Sequence, residues 1–440
     1  MIQTIDLRNS QPTRSELLAL IPRATTDVSV ATAAAAELIA DVRHRGESAL
    51  IQQAERLDGV TPPAVRIPAD QIASAADALD PAVREAMLEA IERVRAASLA
   101  QVPPPSMTEM GDGAVVEQRW APVERVGLYV PGGKAVYPSS VIMNVVPAQV
   151  AGVRSIALAS PAQRECGGSV HPTILAAAAL LGVTEVYAMG GAGAIGAFAY
   201  GVDEIGLDAV QVITGPGNIY VAAAKRLVRG VTGIDSEAGP TEIVVIADDS
   251  ADPILVAADL ISQAEHDELA AAVLVTDSPR LADEVSAELG RQCETTPHGD
   301  RVREALSGRQ SALVLVDSLA HAADFSNAYG PEHLEIHTRD DDALLADIHN
   351  AGAIFMGRYS PVSLGDYLAG SNHVLPTGGQ ARFSAGLGAY TFLRPQQVIR
   401  YSADGLRGVA AHIDALARAE DLPAHADAVL IRFSDVTAEL

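Results

Sequence analysis

Between residues 154 and 357 the chain repeats one grammar: a short apolar run rich in β-formers, then a stretch with helical spacing. RSIALAS, TEVYAMG and AVQVIT come first, separated by helical stretches such as VHPTILAAAALLG and GAIGAFAYG. TEIVVIAD, AAVLVTD, SALVLVD, HLEIHT and AGAIFMG form a second series. The runs are apolar almost throughout, so each strand must be covered on both faces, which is what parallel βαβ units provide. The fold class is therefore α/β, built as two doubly wound halves. Outside this region, residues 1–24 read as a short arm and 25–106 as helices, closed by the prolines at 103–105. WAPVERVGLYVPGG reads as strand and turn, and from about residue 382 the pattern is helical.

Charge and cysteine usage narrow the function classes. A formal charge of −25 over 440 residues, with no basic run, excludes polyanion partners and acidic membrane surfaces. A small anionic cofactor remains compatible, because helix N-termini and loop amides neutralise phosphate without basic side chains. Cys166 and Cys293 lack the spacing of a metal knuckle and read as free thiols of a reducing compartment. The start, MIQTIDLRNS, has no signal-peptide pattern, and the most apolar helical tract, PTILAAAALLGV, is too short to span a bilayer. The expectation is a cytoplasmic protein with no nucleic-acid or membrane partner.

Several segments concentrate chemistry. In YAMGGAGAIGAFAYG, Gly191, Gly193 and Gly196 form a G-x-G-x-x-G that opens a helix after a strand. Such glycines admit a pyrophosphate or simply tight packing, and no clear acidic residue follows at the usual distance. In ITGPGNIYVAAAK, Asn218 stands at a helix start, where a plain N-cap is the simpler reading. In DPILVAADLISQAEHDE, helical period turns Ile254, Ala257, Ala258, Ile261 and Ala264 to a core and aligns Asp259, Gln263 and His266 on another stripe. That stripe is either a solvated face or part of a metal or substrate site. YGPEHLEI sets Glu332 beside His333 at a loop mouth, a pair able to divide acid and base work. SLGDYLAGSNHVLPTGG offers Asp366 and His373 in a Gly- and Pro-rich loop, and ARAEDLPAHADAV offers Glu420 and His425 around a helix-breaking Pro423.

In the order GLYVPGG, GPGN, AGPTE, DLISQAEHD, YGPEHLEI, GDYLAGSNHVLPT and AEDLPAHADAV, these motifs resemble the histidinol dehydrogenase family along essentially the whole chain. The resemblance implies a homodimeric enzyme that oxidises L-histidinol through bound L-histidinal to L-histidine with two NAD and one Zn2+ per subunit. It implies zinc ligands Gln263, His266, Asp366 and His425, and a catalytic pair Glu332 and His333. Thr241, Glu420, His333 and the zinc ligands would contact substrate, and Tyr129, Gly193 and Asn218 the NAD side. In domain terms, residues 25–133 and 239–381 would form a first α/β domain with the zinc and catalytic residues. Residues 134–238 would form the Rossmann-like NAD half, and 382–440 a helical tail, exchanged so that His425 and Glu420 act in the partner subunit. Two positions depart from the family pattern: GGAGAI has Gly193 where glutamine is common, and AGPTE has Thr241 where serine is common. The residue types suit the chemistry, since imidazole and carboxylate bind zinc and an amide oxygen is a weak ligand. The rival readings are a zinc-dependent amide hydrolase, with Glu332 activating water, and a nucleotide-binding module without activity.

Overall fold

The computed structural model describes residues 2–10, 12–23, 28–132, 136–237 and 239–434. The chain divides into two compact units, Met1–Gln101 with Val123–Phe392, and Val102–Pro122 with Leu393–Leu440. In chain order the strands are β1 (Gln3–Asp6), β2 (Ser106–Gly111), β3 (Ala114–Pro122), β4 (Arg125–Tyr129), β5 (Ser155–Ser160), β6 (Val186–Ala188) and β7 (Val212–Thr214). They continue with β8 (Gly233–Ile234), β9 (Glu242–Ala247), β10 (Ala271–Thr276), β11 (Ala312–Leu315), β12 (His333–His337), β13 (Ala353–Met356) and β14 (Leu393–Tyr401).

Two parallel sheets organise the first unit. One runs β6-β5-β4-β7-β8 and the other β1-β11-β10-β9-β12-β13. With β1 set aside, both read third, second, first, fourth, fifth in chain order. The winding direction therefore reverses beside β4 in one sheet and beside β9 in the other, which is where doubly wound sheets open crevices. The mixed α/β class expected from the alternating runs is what forms. Strands β9 and β10 are buried from end to end, as their apolar runs require, and β12 is buried as well although His333, Glu335 and His337 are polar. Among the described residues no helix is long and apolar enough to cross a membrane.

The structure redraws several boundaries read from sequence. Gln3–Asp6 is not a free arm but an edge strand, with Ile5 opposite Val314. The described residues 28–101 do not side with 239–381: Ala35, Leu38, Ile39 and Leu50 share a core with Phe198 and Ile213 of the other half. Close approach makes this possible, since a Cβ on Gly196 would lie 3.2 Å from Ile39 Cα. Arg125–Tyr129 likewise belongs to the second sheet, as β4, rather than to the first domain. The tail that reads as helical begins with a strand, because β14 pairs antiparallel along the length of β3, and β2 pairs with β3 on its other side. The Asp112-Gly113 turn between β2 and β3 is a hairpin signal in a segment that the sequence reading leaves unassigned. Beyond β14 the second unit is the helix pair Ala403–Ala419 and Pro423–Leu430.

The helix Pro253–Ala264 is turned from the expected face. Val256, Ala257, Leu260, Ile261 and Ala264 are buried, whereas Ile254 is 50% exposed and Ala258 is exposed. Asp252 caps this helix through the Ile254 N–H, with Pro253 at its first position, and the cap sets where the face begins.

Gly215 joins the two central strands of the second sheet. Its φ is +117°, its N–H donates to Asp235 Oδ2 at 2.8 Å, and its carbonyl accepts from the buried Lys225 Nζ at 2.9 Å. A Cβ there would collide with the Tyr129 carbonyl. Gly215→Ala should cost about 2–4 kcal/mol, from strain plus overpacking, read as a fall in thermal midpoint. Gly408→Ala, which meets nothing within 4 Å, should leave the midpoint unchanged or slightly raised.

Candidate active site

The amino-terminal ends of β9 and β12 lie side by side and bring two carboxyl side chains together. Glu332 Oε2 accepts the Glu242 backbone N–H at 3.0 Å and the Thr241 hydroxyl at 2.6 Å. Thr241 Oγ1 in turn accepts Gln263 Nε2 at 2.6 Å. Gln263 can reach this end because the helix after β9 runs back across the sheet and finishes beside the starts of the strands. The chain Gln263–Thr241–Glu332 is buried, and Gln263 is 2% exposed with its Oε1 left without a partner. A buried orphan acceptor costs about 1–3 kcal/mol, a cost that a bound ligand would offset.

His266 lies past the helix end, in a turn held by its own N–H to the Gln263 carbonyl at 3.3 Å. The expected stripe of Asp259, Gln263 and His266 therefore splits: Gln263 joins Thr241, and Asp259 lies near Glu335 and His337. His266 Nε2 stands 3.9 Å from Asp366 Oδ2, which the short helix Val362–Tyr367 supplies after β13. His333 is buried, its Nδ1 unpartnered and 3.8 Å from Glu332 Oε2. Oxygen and nitrogen donors of Gln263, His266 and Asp366 suit a borderline cation, and the orphan amide oxygen is the observation that fits one.

Burial shifts the basicity of both Glu332 and His333. Burial pushes the Glu332 carboxyl up to about 7, opposed by its bonds from Thr241 and Glu242 and reinforced by Asp366. Burial lowers His333, keeping the imidazole neutral. Beneath them, burial pushes Glu242 up to about 8 although Arg23 lies 3.4 Å away. Arg23 is itself held over the Tyr329 ring, 4.0 Å from its centroid.

Sequence patterns alone do not single out Arg23, Glu242 or Ser140. Glu242 does carry a signal, as a carboxylate inside the apolar run TEIVVIAD. His373 gains a place: its Nε2 is 3.1 Å from Ser140 Oγ, and its Nδ1 is 3.0 Å from the carbonyl of Asp366. With Asn372 donating to the Met143 carbonyl at 2.6 Å, this loop ties Asp366 to the helix Pro138–Ala151 of the other half. Glu420 and His425 belong to the second unit. There Glu420 ends one helix, His425 sits in the first turn of the next, and both are exposed.

At the carboxyl ends of β4 to β7 a cavity of about 870 Å³ opens, bordered by Tyr129, Gly190, Gly191 and Asn218. It lies at the switch point beside β4, and the helices that start at Gly191 and Ile219 begin at this region. The Tyr129 hydroxyl accepts the Gly191 N–H at 3.1 Å, and burial pushes it up to about 12. Asn218 caps its helix through the Tyr220 and Val221 N–H groups, in line with the simpler reading. Gly193 does not border the cavity. It packs on Gln53, whose Oε1 a Cβ would strike, so the second and third glycines of the motif serve packing.

The sequence model of the histidinol dehydrogenase family matches residues 21–433. The chain belongs to that family. A histidinol dehydrogenase of Leifsonia xyli subsp. xyli is 69% identical over 434 residues, covering 99% of this chain and 100% of the relative. One from Corynebacterium diphtheriae is 54% identical, covering 99% and 98%. The crystal structure of histidinol dehydrogenase from Elizabethkingia anophelis superposes with a TM-score of 0.93 at 32% identity, covering 99% of each chain. Family membership makes the chain an oxidoreductase of histidine biosynthesis and sets aside the hydrolase and inactive-module readings.

Thr241→Val keeps the shape but removes the donor to Glu332 and the acceptor for Gln263. Histidinol dehydrogenase turnover should fall roughly 10- to 100-fold, while Thr241→Ser should stay within a few-fold of the parent. Equal losses in the two variants, measured at matched folding, would remove the hydroxyl from the argument.

Proposed function

We propose that the chain oxidises L-histidinol to L-histidine with two NAD, keeping the aldehyde bound between steps, at the site around Glu332 and His333. The buried relay Gln263–Thr241–Glu332, with its orphan oxygen and the unpartnered His333 nitrogen beside it, carries this reading. Gln263, His266 and Asp366 would hold one Zn2+, with His425 as the fourth ligand. Tyr129 and Asn218 would border the NAD, which the cavity at the switch point beside β4 has the volume to admit. When bound, the ion supplies a Lewis acid that orients substrate nitrogens, and NAD supplies the hydride acceptor.

The chain's own groups move the protons. His333, kept neutral by burial, takes the hydroxyl proton of the alcohol as its carbon is oxidised. Glu332, poised near neutrality, takes a proton from the water that hydrates the aldehyde. His333 returns its proton to the aldehyde oxygen as the hydrate forms, and so is free to take a hydroxyl proton of the hydrate in the second oxidation. Thr241 and the Glu242 N–H fix which Glu332 oxygen stays engaged and leave the other for water. Burial of the pair keeps the aldehyde from solvent. The free thiols Cys166 and Cys293 suit the reducing cytoplasm where we place the reaction.

We infer in addition that Glu420 and His425 act in the site of a second copy, within a two-fold dimer. Their exposure on a unit separate from the α/β body supports this, since an exposed imidazole and carboxylate are free to meet another chain.

Two NADH should form per L-histidinol supplied, and chelation should abolish turnover until zinc is returned. One NADH per substrate, or full activity in a verified metal-free preparation, would count against the reading. Mixing inactive His266→Ala and His425→Ala subunits by unfolding and refolding should restore activity, because an exchanged tail puts both lesions in one site of the heterodimer. No recovery, despite demonstrated heterodimers, would mean that the tail serves its own chain.

A further inference from the structure

The helix Pro253–Ala264 meets β12 twice. Its last turn brings Gln263 toward the catalytic end, and one turn earlier Asp259 meets a different pair. Because side chains on a strand alternate, Glu335 and His337 follow His333 on the same face of β12. His337 Nε2 lies 3.4 Å from Glu335 Oε2 and 3.9 Å from Asp259 Oδ2. One ligand atom from each residue lies within 4.8 Å of the other two. Glu335 Oε1 is occupied by the Val362 N–H at 2.8 Å, so Oε2 is the oxygen that faces the centre.

Burial makes the cluster unusual for an ordinary surface charge group. Glu335 is 0% exposed, and the side chains of His337 and Asp259 are 5% and 15% exposed. Two carboxylates around one imidazole in such a place are costly unless a cation joins them. Burial, reinforced by Glu335, pushes Asp259 up to about 7, so the ion-free cluster stays in balance by retaining a proton. A cavity of about 360 Å³ reaches His337 from the carboxyl end of β12, beside the point where the winding of this sheet reverses. Asp252, Asp341, Ser250 and Thr338 border it together with Arg358, which lies 3.8 Å from Asp252. Of the three donors His337 is the one that lines it, so the cluster meets this cavity through its imidazole.

We propose that Asp259, Glu335 and His337 bind a divalent first-row cation such as Mn2+ or Zn2+, at a site separate from the Gln263, His266 and Asp366 cluster. One imidazole nitrogen and two carboxylate oxygens suit such an ion, and the two carboxylates neutralise it. Small side-chain adjustments bring the three donors to bonding distance. The ion would clamp the helix to β12, the two elements that also carry Gln263 and His333. Its role is to hold the spacing of the catalytic elements from the opposite end of the sheet.

The test reads ion binding rather than turnover, so it stands or falls independently of the histidinol reading. In the full-length chain carrying His266→Ala and Asp366→Ala, equilibrium dialysis should find one Mn2+ per chain, and pulsed electron paramagnetic resonance should show a coupled imidazole nitrogen. Adding Asp259→Asn, a near-isosteric change at a partly exposed position, should weaken Mn2+ at least tenfold with the circular dichroism of the parent. Adding His337→Gln instead should abolish the nitrogen coupling. No bound Mn2+ in the first variant, or binding and coupling indifferent to both further substitutions, would overturn the proposal.

Discussion

The pairing of β9 with β12 is the contact on which the site rests. Adjacent parallel strands put the Glu242 N–H against Glu332 Oε2, and the residue before β9 adds a hydroxyl to the same oxygen. A carboxyl group this buried is tolerable only because those donors meet it, and the same burial lifts it to the range where it can exchange protons near neutrality. Every other part of the site is placed relative to that strand pair. The returning helix brings Gln263 and His266, the segment after β13 brings Asp366, and the loop at His373 ties Asp366 to the helix Pro138–Ala151.

The two α/β halves use the same winding but different ends. In the second sheet the cavity follows the usual rule and opens at the carboxyl ends of the strands, where helix amides suit an anion. In the first sheet Glu332, His333 and Gln263 gather at the amino ends. The carboxyl end of that sheet keeps its own crevice, with His337 on its wall. The helix Pro253–Ala264 links both ends, since Asp259 and Gln263 sit one turn apart. A polar stripe that looks like one site in sequence is thus shared between two clusters at opposite ends of the sheet.

Much of this architecture is legible in the amino-acid sequence. Unbroken apolar runs such as IVVIA and AVLVT require strands covered on both faces, so the α/β class follows from the side chains alone. Gln263, His266, Glu332, His333 and Asp366 stand in motifs whose order along the chain resembles one family, and they lie around one buried relay. The partly polar strands of the second unit are less legible. β14 reads LRPQQVIRY, with exposed and half-buried residues mixed, and it pairs with β3, more than 270 residues away.

What the sequence determined by itself was local: apolar period, caps such as Asp252 with Pro253, and the residue types able to bind a metal or move a proton. Tertiary structure decided what those groups meet. Gly193 looks like part of a phosphate loop, yet it makes room for Gln53, because helix packing, not the motif, sets which way its face turns. The N-terminal helices side with the half that lies beyond them in sequence, since Gly196 lets Ile39 approach closely. Glu332 and Glu242 are 90 residues apart in the chain, and nothing in the sequence shows that they meet. Desolvation is a property of the surrounding fold, so only the assembled sheet could turn an ordinary carboxyl at Glu332 into one poised near neutrality.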